Sequence, residues 1–433
     1  MQNGNGIEED TVYQKIDQAQ KEIAAEKYFN TQEALKRIPV KNPRFSKPVS
    51  FLIIFVAIVL GGGIGVLVFT LIQPKSEGKE PAFSVSEKWA DETSKTLSPL
   101  TGEELENPSL SNLPTFCVQI PNGLDGARPQ VGLNEAGVIF EAIAEAGITR
   151  LAAIFQNPTS SIIGPIRSLR MYYLEWDTPF DCTIVHAGGA DDAIKAVSSG
   201  KYRDLTENYA YMWRGNSYGA LNRQWNNLFT SANYLKSFNE TNGFTTSNIK
   251  SFQRETKKNA EISRVKNNSE NPLNIDSGTE SSVNIINAKV NNITINYGGD
   301  VYFNPTYTYN SKTNSYDRFY NGEPHMSYNC TGELGEVTPE ETCGEPTQIS
   351  PKVVIAMKVN ESKAADGYHE SITTIGSGEA YIFQNGEVID GFWEKSSRDS
   401  QIIFKDEKKI ELKLVPGQTW ISAIPTYGTV TYD

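Results

Sequence analysis

Histidine, cysteine and methionine are scarce in this chain of 433 residues, which holds 3, 4 and 5 of them respectively. The three histidines, His186, His325 and His369, are a thin stock for a zinc hydrolase or a Ser-His-Asp enzyme. No H-E-x-x-H stretch and no phosphate loop ending in Gly-Lys-Ser/Thr occurs. Positive charge is also in deficit, with Lys+Arg 40 against Asp+Glu 52 and a net charge of −12. That excludes a broad basic face, and with it nucleic acid as the natural partner. No metal and no cofactor is expected.

Long apolar runs are missing too, with one exception. Val49 to Ile72 (VSFLIIFVAIVLGGGIGVLVFTLI) carries no charge. At ~1.5 Å per residue it is long enough to cross a ~30 Å hydrocarbon core. Lys36, Arg37, Lys41, Arg44 and Lys47 crowd its N-terminal side, whereas Lys75 and Lys79 beyond it alternate with Glu77 and Glu80. The expectation is a single-pass cell-membrane protein, with its N-terminus cytoplasmic and its later domains extracytoplasmic. A cleaved signal peptide would be shorter and nearer residue 1, and no cysteine follows the run to carry a lipid. Ala57, Gly61 and Gly65 stand at small-xxx-small spacing, which offers a homodimer contact, although small residues are common in membrane helices.

The rest divides by composition and periodicity. Residues 1–48 form a tail in which Val12, Ile16, Ala19 and Ile23 recur at helical spacing, an amphipathic helix that docks on a partner, lies on the inner leaflet or is merely solvated. Residues 73–112, rich in Pro, Ser, Glu and Lys, read as a linker. Residues 113–247 read as a mixed α/β domain. Its strands are Phe116–Ile120, Val138–Ala144, Thr149–Gln156 and Asp181–His186, and helical spacing marks Arg167–Trp176. A second helix runs from an Asp191 or Asp192 cap to Val197. Residues 248–282 are a polar connection, helical in part over Phe252 to Val265. Residues 283–433 read as β-rich, with strands at Val283–Ile295, Val301–Tyr309, Val353–Val359, Ile372–Phe383 and Ile410–Leu414. Asn321-Gly322 and Asn385-Gly386 signal hairpin turns. The fold class expected is thus α+β or α/β: one N-terminal transmembrane helix, a mixed α/β ectodomain, then a β-rich C-terminal domain.

Outside the cytoplasm cysteines tend to pair. Cys330 and Cys343 bracket CTGELGEVTPEETC, a natural place for a staple across a long connection. Cys117 and Cys182 each sit in a short apolar run and are either adjacent buried thiols or a second bridge.

Charges set among core-forming residues cost desolvation energy unless they are paired or serve a ligand. By that criterion Glu141, Glu145, Arg150, Arg167 and Arg170 are the first candidates for a site. In a regular strand Glu141 and Glu145 share a face but lie ~13 Å apart, too far for an acid/base pair. Arg167 and Arg170, three apart on a helix, would project to one side and clamp a carboxylate or phosphate. The competing reading is an internal Arg–Glu network that binds nothing. His186, at a strand end before Ala187-Gly188-Gly189, belongs to the site or is a satisfied hydrogen-bond donor.

The same residues carry a resemblance. RPQVGLNEAGVIFEAIAEAGITRLAAIFQ, IGPIRSLRMYYLEW and DCTIVHAGGADDAIK resemble the N-terminal domain of the bacterial domain-of-unknown-function 3048 family, the YerB-like lipoproteins. YDRFYNGEPH, TTIGSGEAYIFQNGEVIDGFW and LVPGQTWI resemble its C-terminal domain. The likeness runs from about Leu97 to Pro425 and implies an envelope-anchored pair of domains without an assigned reaction. The family usually opens with a lipoprotein signal, replaced here by the apolar run. It tends to have a His where Asn226 precedes Asn227.

Three functions are compatible with these features. The first is a binding protein for an anionic envelope ligand, a wall polymer or peptide carboxylate, held by Glu141, Arg150, Arg167, Arg170 and His186. The second is an envelope hydrolase for glycans or peptides, with Glu141 or Glu145 as acid/base and His186 beside them. The third is a structural component of an envelope complex, contacting an envelope protein.

Overall fold

Strands covered on both faces read as continuous apolar runs, and strands with one wet face alternate. Both patterns occur here, and they mark different places in the fold. The computed structural model describes residues 95–215, 226–268, 288–331 and 343–433. Its strands are β1 (Thr115–Pro121), β2 (Val138–Glu145), β3 (Ile148–Gln156), β4 (Thr183–Val185), β5 (Arg203–Leu205), β6 (Ala288–Lys289), β7 (Asn292–Asn296), β8 (Pro305–Asn310), β9 (Ser315–Tyr320), β10 (Val353–Val359), β11 (Gly376–Gln384), β12 (Glu387–Lys395), β13 (Ile403–Asp406), β14 (Thr419–Pro425) and β15 (Thr429–Tyr432), with several two- and three-residue strands besides. The helices are α1 (Met171–Asp177), α2 (Asp191–Val197), α3 (Ala232–Thr241) and α4 (Lys257–Asn268).

One eleven-stranded sheet runs through both halves of the chain in the order β13-β12-β11-β10-β14-β2-β3-β1-β4-β5, with β6 paired to β12. β14 makes the join. It lies parallel to β10 over Val353–Val359 and parallel to β2 over Val138–Glu141, so nearly the last strand of the chain sits at the middle of the sheet. Every residue of β1, β2 and β14 is buried. A second sheet of five strands holds β9, β8, β7 and β15, with Glu323–Pro324 at its edge. β7 alternates exposed and buried, the pattern of a sheet wet on one side.

The three larger cores follow from this layering. On one face of the long sheet Phe140, Trp176, Phe180, Ile355 and Phe404 pack beneath α1, whose Trp176 stacks on Phe140 at 5.4 Å. On the other face Ile139, Phe155, Leu235 and Trp420 pack against α3. Between the two sheets lie Ile143, Tyr307, Phe383 and Ile424. Disulfides join Cys117 to Cys182 and Cys330 to Cys343. Asn385 and Gly386, both at positive φ, turn β11 into β12, and a Cβ on Gly386 would meet Tyr309 Cε1 at 2.5 Å.

The expected fold class needs correction. The described structure is strand-rich throughout, and its four helices have 7, 7, 10 and 12 residues. None of the described helices is long and apolar enough to cross a membrane. The single transmembrane helix thus has no support among the described residues; the run Val49 to Ile72, its contact residues Ala57, Gly61 and Gly65, and the tail helix lie outside them. Nor does an α/β layer give way to a separate β layer, because β14 threads one sheet through both. Smaller differences have local causes. Arg170 is extended at φ −124°, so α1 starts at Met171 and Arg167 stands outside it. The cap of α2 is Ala190, without a side-chain hydrogen bond. Val301–Phe303 is a 3-10 turn, and Ile410 to Leu414 makes isolated bridges at Glu411 and Leu414.

Candidate functional site

Glu141 and Glu145 are four apart on β2, yet they face opposite ways. Ile143 pairs with Thr149 and Glu145 with Ile148, so one extra residue on β2 forms a bulge. A bulge breaks the alternation of side chains. Thr149 therefore shares Glu141's face and donates to Glu141 Oε1 at 2.8 Å, while Arg150 and Glu145 meet on the other at 3.0 Å.

Glu141 is the centre of a sealed network. Its side chain and that of Arg318 on β9 are both 0% exposed, and Arg318 Nη2 donates to Glu141 Oε2 at 2.7 Å. Tyr320 OH donates at 2.7 Å, Trp420 Nε1 at 2.9 Å and Asn122 Nδ2 at 3.3 Å. Arg318 also donates to the hydroxyls of Tyr307 and Tyr320, and its guanidinium lies over the Trp420 ring at 4.0 Å. Its Nε donates to His325 Nδ1 at 3.0 Å, which leaves Nε2 to donate to Gln130 Oε1 at 2.9 Å. Burial, reinforced by Arg318 and Arg128, holds His325 well below the usual histidine range, consistent with that neutral tautomer. Burial lowers Arg318, but Glu141 and the tyrosines outweigh it and raise its pKa above that of a free arginine. A carboxylate fully occupied by five donors and closed to water has no route to a substrate.

Glu145 belongs to a second, shallower cluster. It pairs with Arg150 and with Arg170, and His369 Nε2 stands 3.7 Å from its Oε1. Arg150 Nη1 donates to Ser168 O at 3.2 Å and Arg170 Nη1 to Leu169 O at 2.9 Å. Arg167, partly exposed, donates through Nε to Asn226 Oδ1 at 2.9 Å; Asn226 in turn donates to Asp125 Oδ1 at 2.8 Å. Among the described residues no carboxylate lies within ion-pair distance of Arg167. Burial lowers its pKa, and the like charges of Arg150 and Arg214 lower it further against the pull of Asp125. Burial likewise lowers Arg150 and Arg170.

The structure thus brings Glu145, Arg150 and Arg170 together, with Arg167 beside Arg150, and leaves Glu141 in a different network. His186 is 1% exposed in its side chain and lies between Gly188 O at 2.7 Å and Asp204 Oδ1 at 2.9 Å, so both ring nitrogens are engaged. No group of three or more His, Cys, Asp or Glu suited to a metal ion occurs among the described residues. Two surface clefts, of about 470 Å³ beside Lys358 and Trp393 and about 610 Å³ beside Asn134 and Lys352, lie apart from both networks.

Sequence reasoning missed Arg318, Tyr320 and Trp420 as partners of Glu141, and Asn226 and Asp125 as partners of Arg167. The signal for Arg318 was available: it sits at an inward position of an alternating strand, two residues from Tyr316 and from Tyr320. Gly215-Asn216-Ser217-Tyr218-Gly219 also has G-x-S-x-G spacing, but residues 216–225 lie outside the described ones.

Residues 100–245 match the family described as "Protein of unknown function (DUF3048) N-terminal domain", and residues 293–421 match its C-terminal domain. The chain is 28% identical over 339 residues to the "Putative lipoprotein YerB" of Bacillus subtilis (strain 168), covering 77% of this chain and 88% of the relative. The crystal structure of YerB protein from Bacillus subtilis aligns with a TM-score of 0.58 at 25% identity, over 78% of this chain and 100% of the other.

Proposed function

The chain belongs to the DUF3048 family of proteins of unknown function, and from that premise we propose that it is an extracytoplasmic binding protein for an anionic envelope ligand. The Arg150, Arg167 and Arg170 cluster would be its site. Two observations support the compartment: all four cysteines are in disulfides, which persist in oxidising surroundings, and the Bacillus subtilis relative bears the name "Putative lipoprotein YerB".

The observation that carries the binding site is Arg167. Arg150 and Arg170 share Glu145, Arg167 beside them has no ion partner among the described residues, and burial has already weakened the hydration of all three. A half-buried cation opposed by like charges is stabilised by an incoming carboxylate or phosphate, whose planar oxygens match the guanidinium fork. The hydrolase alternative is weaker, because Glu141 is sealed and Glu145 is held by two arginines.

Co-sedimentation of the full-length chain with purified cell-wall material, at low and moderate salt, tests this reading. Salt-sensitive pelleting should be lost in a folded Arg167→Ala variant and kept in His186→Ala, whose ring serves Asp204 and Gly188. Pelleting unchanged by Arg167→Ala would defeat the proposal, and unfolding by Arg167→Ala would favour an internal network that binds nothing.

A further inference from the structure

Exposed aromatic rings stand at both ends of the contact path through the arginine cluster. Tyr368 is 63% exposed, on the hairpin of Glu361–Lys363 and Glu370–Ile372. Its ring meets His369 edge to face at 5.0 Å, and His369 approaches Glu145, the carboxylate that holds Arg150. At the other end of the path Tyr209 is 66% exposed, and its hydroxyl donates to Glu207 Oε1 at 2.6 Å and accepts from Arg214 Nε at 3.2 Å. Arg214 Nη1 donates to Asn227 Oδ1 at 2.8 Å, and the adjacent Asn226 holds Arg167.

Carboxylates stand along the same path. Asp125 accepts from Asn226, Glu207 from Arg214, and Asp366 from His369 Nδ1 at 2.6 Å. They repel a uniformly acidic ligand but accept from hydroxyl groups. Flat exposed aromatic faces offer rigid apolar contact at little cost in conformational entropy. Cations, hydroxyl acceptors and exposed rings together match one ligand chemistry.

Resting on the anion-site reading above, we propose that the ligand is an acidic saccharide chain, with its carboxylate or phosphate on Arg150 and Arg167 and its sugar rings against Tyr368 and Tyr209. The C–H faces of the rings would cover the aromatic planes. The hydroxyl edges would donate to Asp125, Glu207 and Asp366. An acidic peptide offers no such hydroxyl array.

Calorimetric titration of the full-length chain at low salt with tetragalacturonate, pentaglutamate, citrate and maltotetraose tests the assignment. Tetragalacturonate should bind roughly tenfold tighter than pentaglutamate or citrate, with neutral maltotetraose weaker still. Tyr368→Ala and Tyr209→Ala, at exposed positions, should each weaken tetragalacturonate roughly fivefold and leave citrate unchanged. Arg167→Met should weaken both acids. Equal binding of the three acids, untouched by either tyrosine variant, would overturn the saccharide assignment and leave the anion site standing. Tetragalacturonate binding that survives Arg167→Met, or no binding of any acid, would overturn both.

Discussion

Replacing Arg318 by Met is the most direct test of the sealed network, because it removes a fully buried cation and keeps most of the side chain's apolar volume. Glu141 would then be a buried carboxylate with hydrogen-bond donors but no bonded counter-charge. Breaking a buried pair from one side costs about 3–5 kcal/mol. His325 Nδ1 and the Tyr307 hydroxyl also lose their guanidinium partner, each worth about 1 kcal/mol. A total of about 5–7 kcal/mol is a large share of the roughly 5–15 kcal/mol that holds a folded domain. It corresponds to a fall in Tm on the order of 10 °C. Urea unfolding followed by tryptophan fluorescence measures it, with Trp420 in van der Waals reach of the deleted group. The double variant Arg318→Met with Glu141→Leu is the control. Removing both charges leaves no isolated ion, so it should be more stable than Arg318→Met alone. A single-variant loss below about 1 kcal/mol, or a double variant worse than the single, would refute the argument that the ion pair joins the two halves.

Other consequences can be measured independently. Asp177 is fully buried, and burial, only partly offset by the hydrogen bond from Gln119, raises its pKa well above the carboxylate range. Such a group lowers stability as pH rises from the ordinary carboxylate range to its native pKa, by about 1.4 kcal/mol per pH unit. Asp177→Asn should abolish that decline in the unfolding midpoint above the ordinary carboxylate range, and a decline of the same size in the variant would show that another group causes it. Loop-closure entropy predicts about 4 kcal/mol lost in Cys117→Ala with Cys182→Ala, whose sequence separation is 65, and about 3 kcal/mol in the Cys330 and Cys343 pair, separation 13. Equal losses on denaturation would count against that model. Gly386→Ala, at φ 75° and against the Tyr309 ring, should cost more than about 1 kcal/mol by thermal unfolding.

What the sequence made legible was local. β1, β2, β3 and β10 stand close to where their apolar runs predict them, and the Asn-Gly pairs at 321/322 and 385/386 occupy positive φ. What it hid was long-range. Glu141 and Arg318 are 177 residues apart, and Glu141 and Trp420 are 279 apart, distances over which no periodicity carries information. The β14 pairings that fuse the halves are parallel on both sides, so no hairpin turn announces them. The bulge near Glu145 was equally silent, because neither glycine nor proline occupies β2.

That silent bulge decides how the charges are shared. Had β2 stayed regular, Glu145 would have shared the face of Glu141, ~13 Å further along the strand and away from Arg150. Arg150 and Arg170 would then have stood without Glu145 on the opposite face. The extra residue sends one carboxylate to each side. On the Glu141 side one anion meets one bonded cation, with Arg128 over the Tyr320 ring beside them, and the result is a closed lock. On the Glu145 side one anion is divided between Arg150 and Arg170, with Arg167 beyond its reach among the described contacts. A positive charge without an ion partner is thereby left at Arg167, which is partly exposed. A single backbone irregularity thus separates a group of charges that serves stability from a group with charge to spare for binding.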